Sequence, residues 1–174
     1  DYSTPSDNPT IKWVFETGDS IQSSATINEA NVYVGSNDGN LYCIDLDTGY
    51  QKWCIQTGDF VISKPALTSE GNIVFGSGDE FVYCASANDG NVIWNTKLGG
   101  SVLSDPLTSE GRVFIGCGDG KIYCLNSASG EIVWGYQTDG LMRQRPILEN
   151  GILYAFVRDT YIWSVSYTHL TLPT

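Results

Sequence analysis

The sequence is poor in basic residues, and this shortage narrows the range of partners. Nine lysines and arginines stand against 20 aspartates and glutamates in 174 residues, which gives a formal net charge of −11. Phosphate binding needs a basic surface, so the balance argues against nucleic acid as a partner. The same sign disfavours an anionic membrane surface.

Long apolar runs are also missing. No stretch approaches the roughly 20 apolar residues that cross a bilayer, so no membrane insertion is expected of this chain. The residues Asp1–Pro5 have neither the basic end nor the apolar stretch of a signal peptide, and none is expected there. A mature secreted chain and a cytosolic chain would look alike in this respect.

Metal-ligating residues are sparse. The single histidine is His169, and no two cysteines have CxxC spacing, so no metal site is expected. Five cysteines without a vicinal pair make a poor disulfide framework, and small buried thiols are the favoured interpretation. One alternative stays open: if the turn over Asp47–Tyr50 is symmetric, Cys43 and Cys54 lie opposite each other near disulfide distance.

What the sequence does contain is a motif that recurs about every 40 residues. Each copy opens with Cys, has a short polar residue at the third place, Gly at the seventh and Trp at the eleventh. The copies open at Cys43, Cys84 and Cys124; their glycines are Gly49, Gly90 and Gly130, and their tryptophans are Trp53, Trp94 and Trp134. Trp13 is an earlier partial copy, so the Trp spacings are 40, 41 and 40 residues. Such a period is typical of propellers and repeat arrays.

Within each unit, apolar and aromatic alternation predicts four strands, and turn residues separate them. The innermost strands are predicted at Ser20–Ile27, Phe60–Leu67, Ser101–Leu107 and Leu141–Leu148. No segment has a helical pattern. The sequence therefore predicts an all-β β-propeller of four-stranded antiparallel blades, three complete plus a partial fourth. Residues 1–10 are predicted to be an extended lead-in, and the repeats span residues 11–165.

The run from Val32 to Asp45, followed by Thr48, Gly49 and Trp53, resembles the PQQ-like, quinoprotein-type propeller repeat. In that family the docking tryptophan packs between neighbouring blades, so the resemblance implies structural roles for a set of tryptophans and glycines. These are Trp13, Trp53, Trp94, Trp134, Gly49, Gly90 and Gly130. The family's opening Ala is replaced by Cys in this chain, and its Asp is kept only as Asp45.

Family members usually have seven or eight blades, so the resemblance favours an open arc of a larger propeller. The alternative is a compact four-bladed ring in which Ile11–Thr17 supplies the missing outer strand. The last residues, Ser166–Thr174, fit no repeat position, and they resemble a translated sequencing adapter.

The innermost strands hold the candidate ligand site. Alignment by the Trp spacing places Ser24, Lys64, Asp105 and Arg145 at one repeat position, with Arg143 two residues before Arg145 and hence on the same face. This face differs between repeats, which suggests that it lines the central channel. Lys64, Asp105, Arg143 and Arg145 are the predicted ligand-binding residues, and the cations suit an anionic group. The alternative is that neighbouring blades simply pair these charges.

The turn aspartates form a second constellation, because Asp38, Asp79, Asp119 and Asp159 share one repeat position. Such a rim could hold Ca²⁺ or a cationic partner. Glutamates line the opposite rim as well, and Asp is what these turns prefer for backbone reasons, so a solvated rim is favoured.

No catalytic set is found, and the favoured function is a non-catalytic scaffold that binds another protein or a glycan. The resemblance extends to propellers of outer-membrane assembly lipoproteins, which slightly favours a periplasmic, secreted or cell-envelope location. Alternatives are a PQQ- and calcium-dependent quinoprotein dehydrogenase and a propeller appended to a larger enzyme. Repeats alone do not imply redox chemistry, because function lives in sites grafted on folds.

Overall fold

The computed structural model describes residues 10–157 and 161–166. In this part of the chain, all the regular secondary structure is β-strand. The strands form four antiparallel sheets, each ordered as in the sequence. Blade 1 contains β1 (Thr26–Ile27), β2 (Asn31–Gly35), β3 (Asn40–Asp45) and β4 (Gln51–Gln56). Blade 2 contains β5 (Ala66–Leu67), β6 (Asn72–Gly76), β7 (Phe81–Ser86) and β8 (Val92–Lys97). Blade 3 contains β9 (Leu107–Ser109), β10 (Arg112–Gly116), β11 (Lys121–Asn126) and β12 (Ile132–Gln137). Blade 4 contains β13 (Ile147–Glu149), β14 (Ile152–Val157) and β15 (Tyr161–Ser166). The predicted blades, three complete and one partial, are confirmed.

The innermost strands are shorter than predicted. Regular pairing begins only at Thr26, Ala66, Leu107 and Ile147. The residues before these points bond to the preceding blade instead: the Val61 amide donates to the Ser36 carbonyl at 3.0 Å, and the Val102 amide to Ser77 at 2.9 Å. The prolines at 65, 106 and 146 lack the N–H that a ladder needs, which explains why the strand starts late.

Glycine makes this crossing possible at the end of the second strand of blades 1 to 3. A Cβ on Gly35 would lie 2.3 Å from the Val61 carbonyl oxygen, and one on Gly76 would lie 2.5 Å from the Val102 carbonyl oxygen. Any side chain would push the next blade away, so these positions fix how closely successive blades approach.

The turn between the third and fourth strands is asymmetric, and this corrects the disulfide alternative. Cys43 pairs with Trp53 and Ile44 with Gln51, so Lys52 is an extra residue in a β-bulge. Cys54 therefore lies opposite Tyr42, on the other face of the sheet from Cys43. Cys43 is buried, Cys54 is exposed, and both thiols are free. A Cys43–Cys54 disulfide is wrong because Cys43 lies opposite Trp53, which leaves the two cysteines on opposite faces of the sheet.

The hydrophobic core lies between blades rather than within them. Tyr33 and Leu41 of blade 1 pack with Ile73 and Phe75 of blade 2, and similar clusters join blades 2 and 3 and blades 3 and 4. The cysteines of the repeat motif are fully buried in these clusters. Burial raises the pKa of the Cys43 thiol to about 11 and those of Cys84 and Cys124 to about 12, so these thiols are packing groups.

The ring is open. Residues 11–17 form no strand, and among the described strands β15 pairs only with β14. The alternative of a closed four-bladed ring is therefore wrong, because residues 11–17 do not pair with β15. This segment lies against blade 1, where Trp13 and Phe15 pack beside Val32 and Val34. Within the described ranges, no helix has the length and apolar character needed to cross a membrane.

Blade interfaces and the candidate channel site

Trp13 docks the segment before blade 1 onto blade 1, and Trp94 docks blade 2 onto blade 3. The Trp13 indole Nε1 donates to the Leu46 carbonyl at 3.0 Å, and Trp94 Nε1 donates to Ser127 at 2.9 Å. The ring lies flat against the motif glycine of the following blade. A Cβ on Gly49 would lie 2.6 Å from Trp13, and one on Gly130 would lie 2.5 Å from Trp94. The bond and the ring contact orient neighbouring sheets together.

Trp53 keeps the ring contact but lacks the hydrogen bond. A Cβ on Gly90 would lie 2.8 Å from its ring, yet its buried Nε1 has no partner within the described residues. The carbonyl equivalent to Leu46 and Ser127 is that of Ala87, and it accepts from the Tyr33 hydroxyl at 3.1 Å. At the interface between blades 1 and 2, the Tyr33 hydroxyl thus donates the hydrogen bond that the Trp13 and Trp94 indoles donate at the equivalent contacts.

Trp134 lies half-buried against Phe114, with ring centroids 6.1 Å apart. In the other copies the docking glycine comes 36 or 37 residues after the tryptophan. For Trp134 that position lies outside the described residues, so its implied docking role stays a prediction.

The turn aspartates fasten the connections between blades. Asp38 Oδ2 accepts from the Gly18 amide at 2.7 Å and from the Tyr42 hydroxyl at 2.8 Å. Asp79 repeats both bonds with Gly58 and Tyr83. The further equivalents are Asp119, which accepts from the Tyr123 hydroxyl at 2.6 Å, and Asp159, which lies outside the described residues.

These bonds occupy the carboxylates. Partial burial would raise the pKa of Asp38, but hydrogen bonds from Tyr42 and Asn40 outweigh it and lower that pKa. Burial and the neighbouring Asp79 raise the pKa of Tyr83. Across the described ranges, no group of three acidic, Cys or His side chains is placed to hold a metal ion. The contacts favour turn chemistry over a calcium rim.

Three of the four predicted ligand-binding residues line one cavity. It has a volume of about 200 Å³ and is bounded by residues from all four blades, among them Thr26, Lys64, Asp105 and Arg145. Lys64 and Arg145 are exposed, and neither makes an ion pair within the described part of the chain. The alternative that neighbouring blades pair these charges predicts an ion pair between side chains. Blades 2 and 3 are instead joined here by a hydrogen bond, in which Asp105 Oδ1 accepts from the Lys64 main-chain amide at 2.7 Å.

Threonine hydroxyls complete the wall of this cavity. Thr26 donates through Oγ1 to the Pro65 carbonyl, and Thr108 donates to the Leu67 carbonyl at 2.8 Å. Two carbonyls of the inner segment of blade 2, those of Pro65 and Leu67, are thereby bonded by side chains from both neighbouring blades. Sequence analysis did not single out these threonines, although they follow the repeated Ala or Pro position by one or two residues and could have been found there.

Arg143 lies apart from the other three residues. It is exposed and borders two neighbouring depressions, one with Glu80 and Leu103 and one with Gln144 and Phe156. Its side chain therefore belongs to the rim near the start of the inner segment. Its role in ligand binding remains a prediction.

Together these features define an open β-propeller of repeat blades joined by docked tryptophans. The family model described as outer membrane protein assembly factor BamB matches residues 61–162, which is more than half of the chain. The chain belongs to this PQQ-like repeat family, and the resemblance found in the sequence is confirmed. A search of curated proteins finds no significant match.

Solved structures show the same fold. BamB from Moraxella catarrhalis matches with 20% sequence identity and a TM-score of 0.77 over 91% of this chain and 50% of its own. The computationally designed Ika4 protein matches with 15% identity and a TM-score of 0.78 over 91% of this chain and 98% of its own. A quinohemoprotein alcohol dehydrogenase, ADHIIG from Pseudomonas putida HK5, matches with 19% identity and a TM-score of 0.74 over 82% of this chain and 32% of its own. The chain thus spans half the length of the BamB structure and about a third of the dehydrogenase.

Proposed function

We propose that this chain is a non-catalytic scaffold in the cell envelope that binds another protein at the mouth of its channel. An anionic group of the partner would sit between Lys64 and Arg145. The family description, an outer membrane protein assembly factor, supports a protein-binding role. The observation that carries the proposal is the cavity shared by all four blades, with two exposed cations that form no ion pair among the described residues.

The charge balance of the chain sharpens this proposal. Only nine residues are Lys or Arg, against 20 acidic residues, so a negatively charged group meets repulsion over most of the surface. At the cavity, Lys64 and Arg145 are free to contact it, and the guanidinium can grip a carboxylate with two hydrogen bonds. Asp105 is fixed by the Lys64 amide, so it presents a second, hydrogen-bond-accepting element beside the cations.

A titration monitored by amide NMR tests the site with a tetra-aspartate peptide. We expect shifts at Lys64, Asp105 and Arg145 that weaken with added salt. Replacing either cation, as in Lys64→Gln or Arg145→Gln, should weaken binding roughly twofold to fivefold. Lys97→Gln is the matched control, because Lys97 is an exposed cation on the outer strand β8, where it pairs with Glu80.

An oligogalacturonide of similar charge forms the second arm of the titration. Binding of the peptide with loss in the channel variants supports the protein-partner proposal. Binding of the sugar alone would replace it by a glycan partner. Equal effects of Lys97→Gln and Lys64→Gln would show unspecific charge attraction and overturn the site. The cell-envelope location is tested separately by fractionating the source cells with an antibody against this chain.

The quinoprotein alternative fits the residues poorly. Calcium takes six to eight oxygen ligands, whereas the cavity offers one carboxylate, Asp105, with one oxygen already bonded. The likeness to the quinohemoprotein dehydrogenase is a likeness of fold. Incubation with pyrroloquinoline quinone and Ca²⁺, followed by desalting, distinguishes the two functions: a retained chromophore would support the enzyme.

A further inference from the structure

A second cavity, with a volume of about 310 Å³, lies between blades 2, 3 and 4. Its walls come from the turn before β7, the turn before β11 and the inner segments of blades 3 and 4. No described residue lines both this cavity and the channel cavity, although Leu103 and Arg143 precede Asp105 and Arg145 by only two residues. The volume is near the lower end of the range of about 300–1,000 Å³ for ligand pockets, so it suits a small molecule.

Glu80 stands in the wall of this second cavity, at a position where blades 1 and 3 have glycine. Its φ is +77°, and the equivalent Gly39 and Gly120 have +85° and +81°. A left-handed conformation costs stability for a residue with a side chain, and such strain clusters at functional sites. The Leu98 amide donates to the Glu80 carbonyl at 2.8 Å, which holds the turn in place. The strained residue thus brings a carboxyl side chain to a cavity wall where glycine would bring none.

The rest of the wall combines apolar side chains with one cation. Met142 is buried, Leu103 is half-buried and Leu141 is 42% exposed, so aliphatic surface is available to a ligand. Arg143 is exposed and makes no ion pair within the described part of the chain. Its guanidinium is therefore free to bind an anionic group.

The other polar groups of the wall are already bonded within the protein. The Ser101 hydroxyl donates to the Gly78 carbonyl at 3.0 Å, and the Gly118 amide donates to the Ser101 carbonyl at 2.9 Å. Glu80 contacts Lys97 through Oε2 at 3.3 Å, and a carboxylate has a second oxygen that can accept from a ligand. A ligand in this cavity therefore meets aliphatic surface, one guanidinium and one carboxylate.

We propose that this second cavity binds a small zwitterion with an apolar body, of the class of free aliphatic amino acids. Arg143 binds its carboxylate, Glu80 binds its ammonium group, and its side chain packs on Leu103 and Leu141. An anion without an ammonium group would meet the Glu80 carboxylate, a cation would meet Arg143, and an uncharged ligand would leave both without a partner. The ligand binds independently of the anionic partner group in the channel cavity.

A titration with L-leucine, monitored by amide NMR of the full chain, tests this proposal. We expect saturable shifts at Glu80, Leu103 and Arg143. L-leucinamide lacks the carboxylate and N-acetyl-L-leucine lacks the ammonium group, so each should bind roughly twofold to fivefold more weakly than leucine. Glycine keeps both charges but has no apolar body, and it should bind roughly tenfold more weakly or worse.

Variants assign each charge of the ligand to one residue. Arg143→Gln should weaken leucine binding roughly twofold to fivefold and leave leucinamide binding unchanged, because leucinamide has no carboxylate for the arginine to bind. Glu80→Gln should do the same for leucine relative to N-acetyl-leucine. Lys12→Gln is the matched control, because Lys12 is an exposed cation that pairs with Asp47 on blade 1.

Glu80→Gly separates binding from structure. It relieves the left-handed strain, so it should raise the urea midpoint while it weakens leucine binding, and a residue with only a structural role would not link these opposite changes. The absence of saturable shifts with leucine would overturn the proposal, as would equal affinities for leucine and leucinamide. Leucine-induced shifts at Lys64 and Arg145 instead would place the zwitterion in the channel cavity and also refute the assignment.

Discussion

The contact between Trp94 and Gly130 can be measured separately from the backbone conformation that Gly130 adopts. Gly130 has a φ of +72°, and Gly71 has a φ of +79°. Alanine at either position carries the cost of a left-handed residue, about 1–2 kcal/mol. A Cβ on Gly71 meets nothing within 4 Å, whereas one on Gly130 lies 2.5 Å from the Trp94 ring. The two substitutions therefore differ mainly in the docking contact.

The size of that difference follows from how tightly Trp94 is held. Carbon atoms in contact are normally about 3.5–4 Å apart, so the ring must move by about 1 Å or more. Trp94 is only 8% exposed and its Nε1 bonds Ser127, so this movement overpacks the interface between blades 2 and 3. Overpacking costs about 1–3 kcal/mol. We expect Gly71→Ala to lower the free energy of unfolding by about 1–2 kcal/mol and Gly130→Ala by about 2–5 kcal/mol.

Urea unfolding followed by both tryptophan fluorescence and far-UV circular dichroism gives the two values. Coincidence of the two probes establishes that the transition is two-state, which repeat arrays do not always satisfy. Losses that agree within about 0.5 kcal/mol would refute the reasoning, because the ring would then contribute nothing beyond backbone strain. In a Trp94→Phe background the extra cost of Gly130→Ala should shrink.

Two further predictions concern turns. Glu80 holds a φ of +77° where blades 1 and 3 have Gly39 and Gly120, so Glu80→Gly should raise the free energy of unfolding by about 1 kcal/mol; an unchanged urea midpoint would count against strain at this site. The Thr48 amide, followed by the Lys52 ammonium, holds the pKa of the Asp45 carboxyl well below its usual range. Because that pKa is depressed, the stabilisation is present above the unfolded-state pKa of about 3.9 and is lost as pH falls through the folded-state pKa. Asp45→Asn should therefore have a lower free energy of unfolding than the unmodified chain at neutral pH, and this difference should shrink as the pH falls to below 3. Urea titrations at each pH measure it, and a difference that is independent of pH would contradict the assignment.

The fold could be predicted because the information lies in a local pattern repeated at one period. Trp53, Trp94 and Trp134 each recur with the same turn and glycine, and every copy predicts the same sheet. The partial fourth blade followed from the same alignment. Agreement between independent copies is what made a single sequence sufficient.

What the sequence could not predict depends on contacts between segments that are far apart along the chain. The bulge at Lys52 shifts the register by one residue, and nothing in the turn sequence alone requires it. The Tyr33 hydroxyl, 54 residues before Ala87, bonds the carbonyl equivalent to those that Trp13 and Trp94 bond, and the buried Trp53 Nε1 has no partner among the described residues. The role of the turn aspartates did leave a signal, since a Tyr follows four residues after Asp38 and in the two equivalent turns.

The residues that share the cavity were predictable where the repeat alignment alone placed them. Lys64, Asp105 and Arg145 share one repeat position, and each directly precedes a proline. The inner segments bring all three to one cavity. Arg143 was assigned to the same face by a two-residue step. That step assumes a regular strand, but blade 4 begins regular pairing only at Ile147, so the alternation does not carry back to it.

The two kinds of position in each repeat have different physical roles. Two contacts between blades recur with nearly the same geometry. In one, a tryptophan ring packs on the motif glycine of the following blade, as at Gly49; in the other, a glycine at the end of the second strand packs on the inner segment of the next blade, as at Gly35. Any change there alters the angle between sheets and hence the whole arc. Along the cavity, by contrast, one repeat position is occupied by Lys64, Asp105 and Arg145. Lys64 and Arg145 are exposed, so they are not packed in the core between blades. Specificity can therefore change at the cavity without altering how blades dock, so a binding partner has to be sought where the repeats differ.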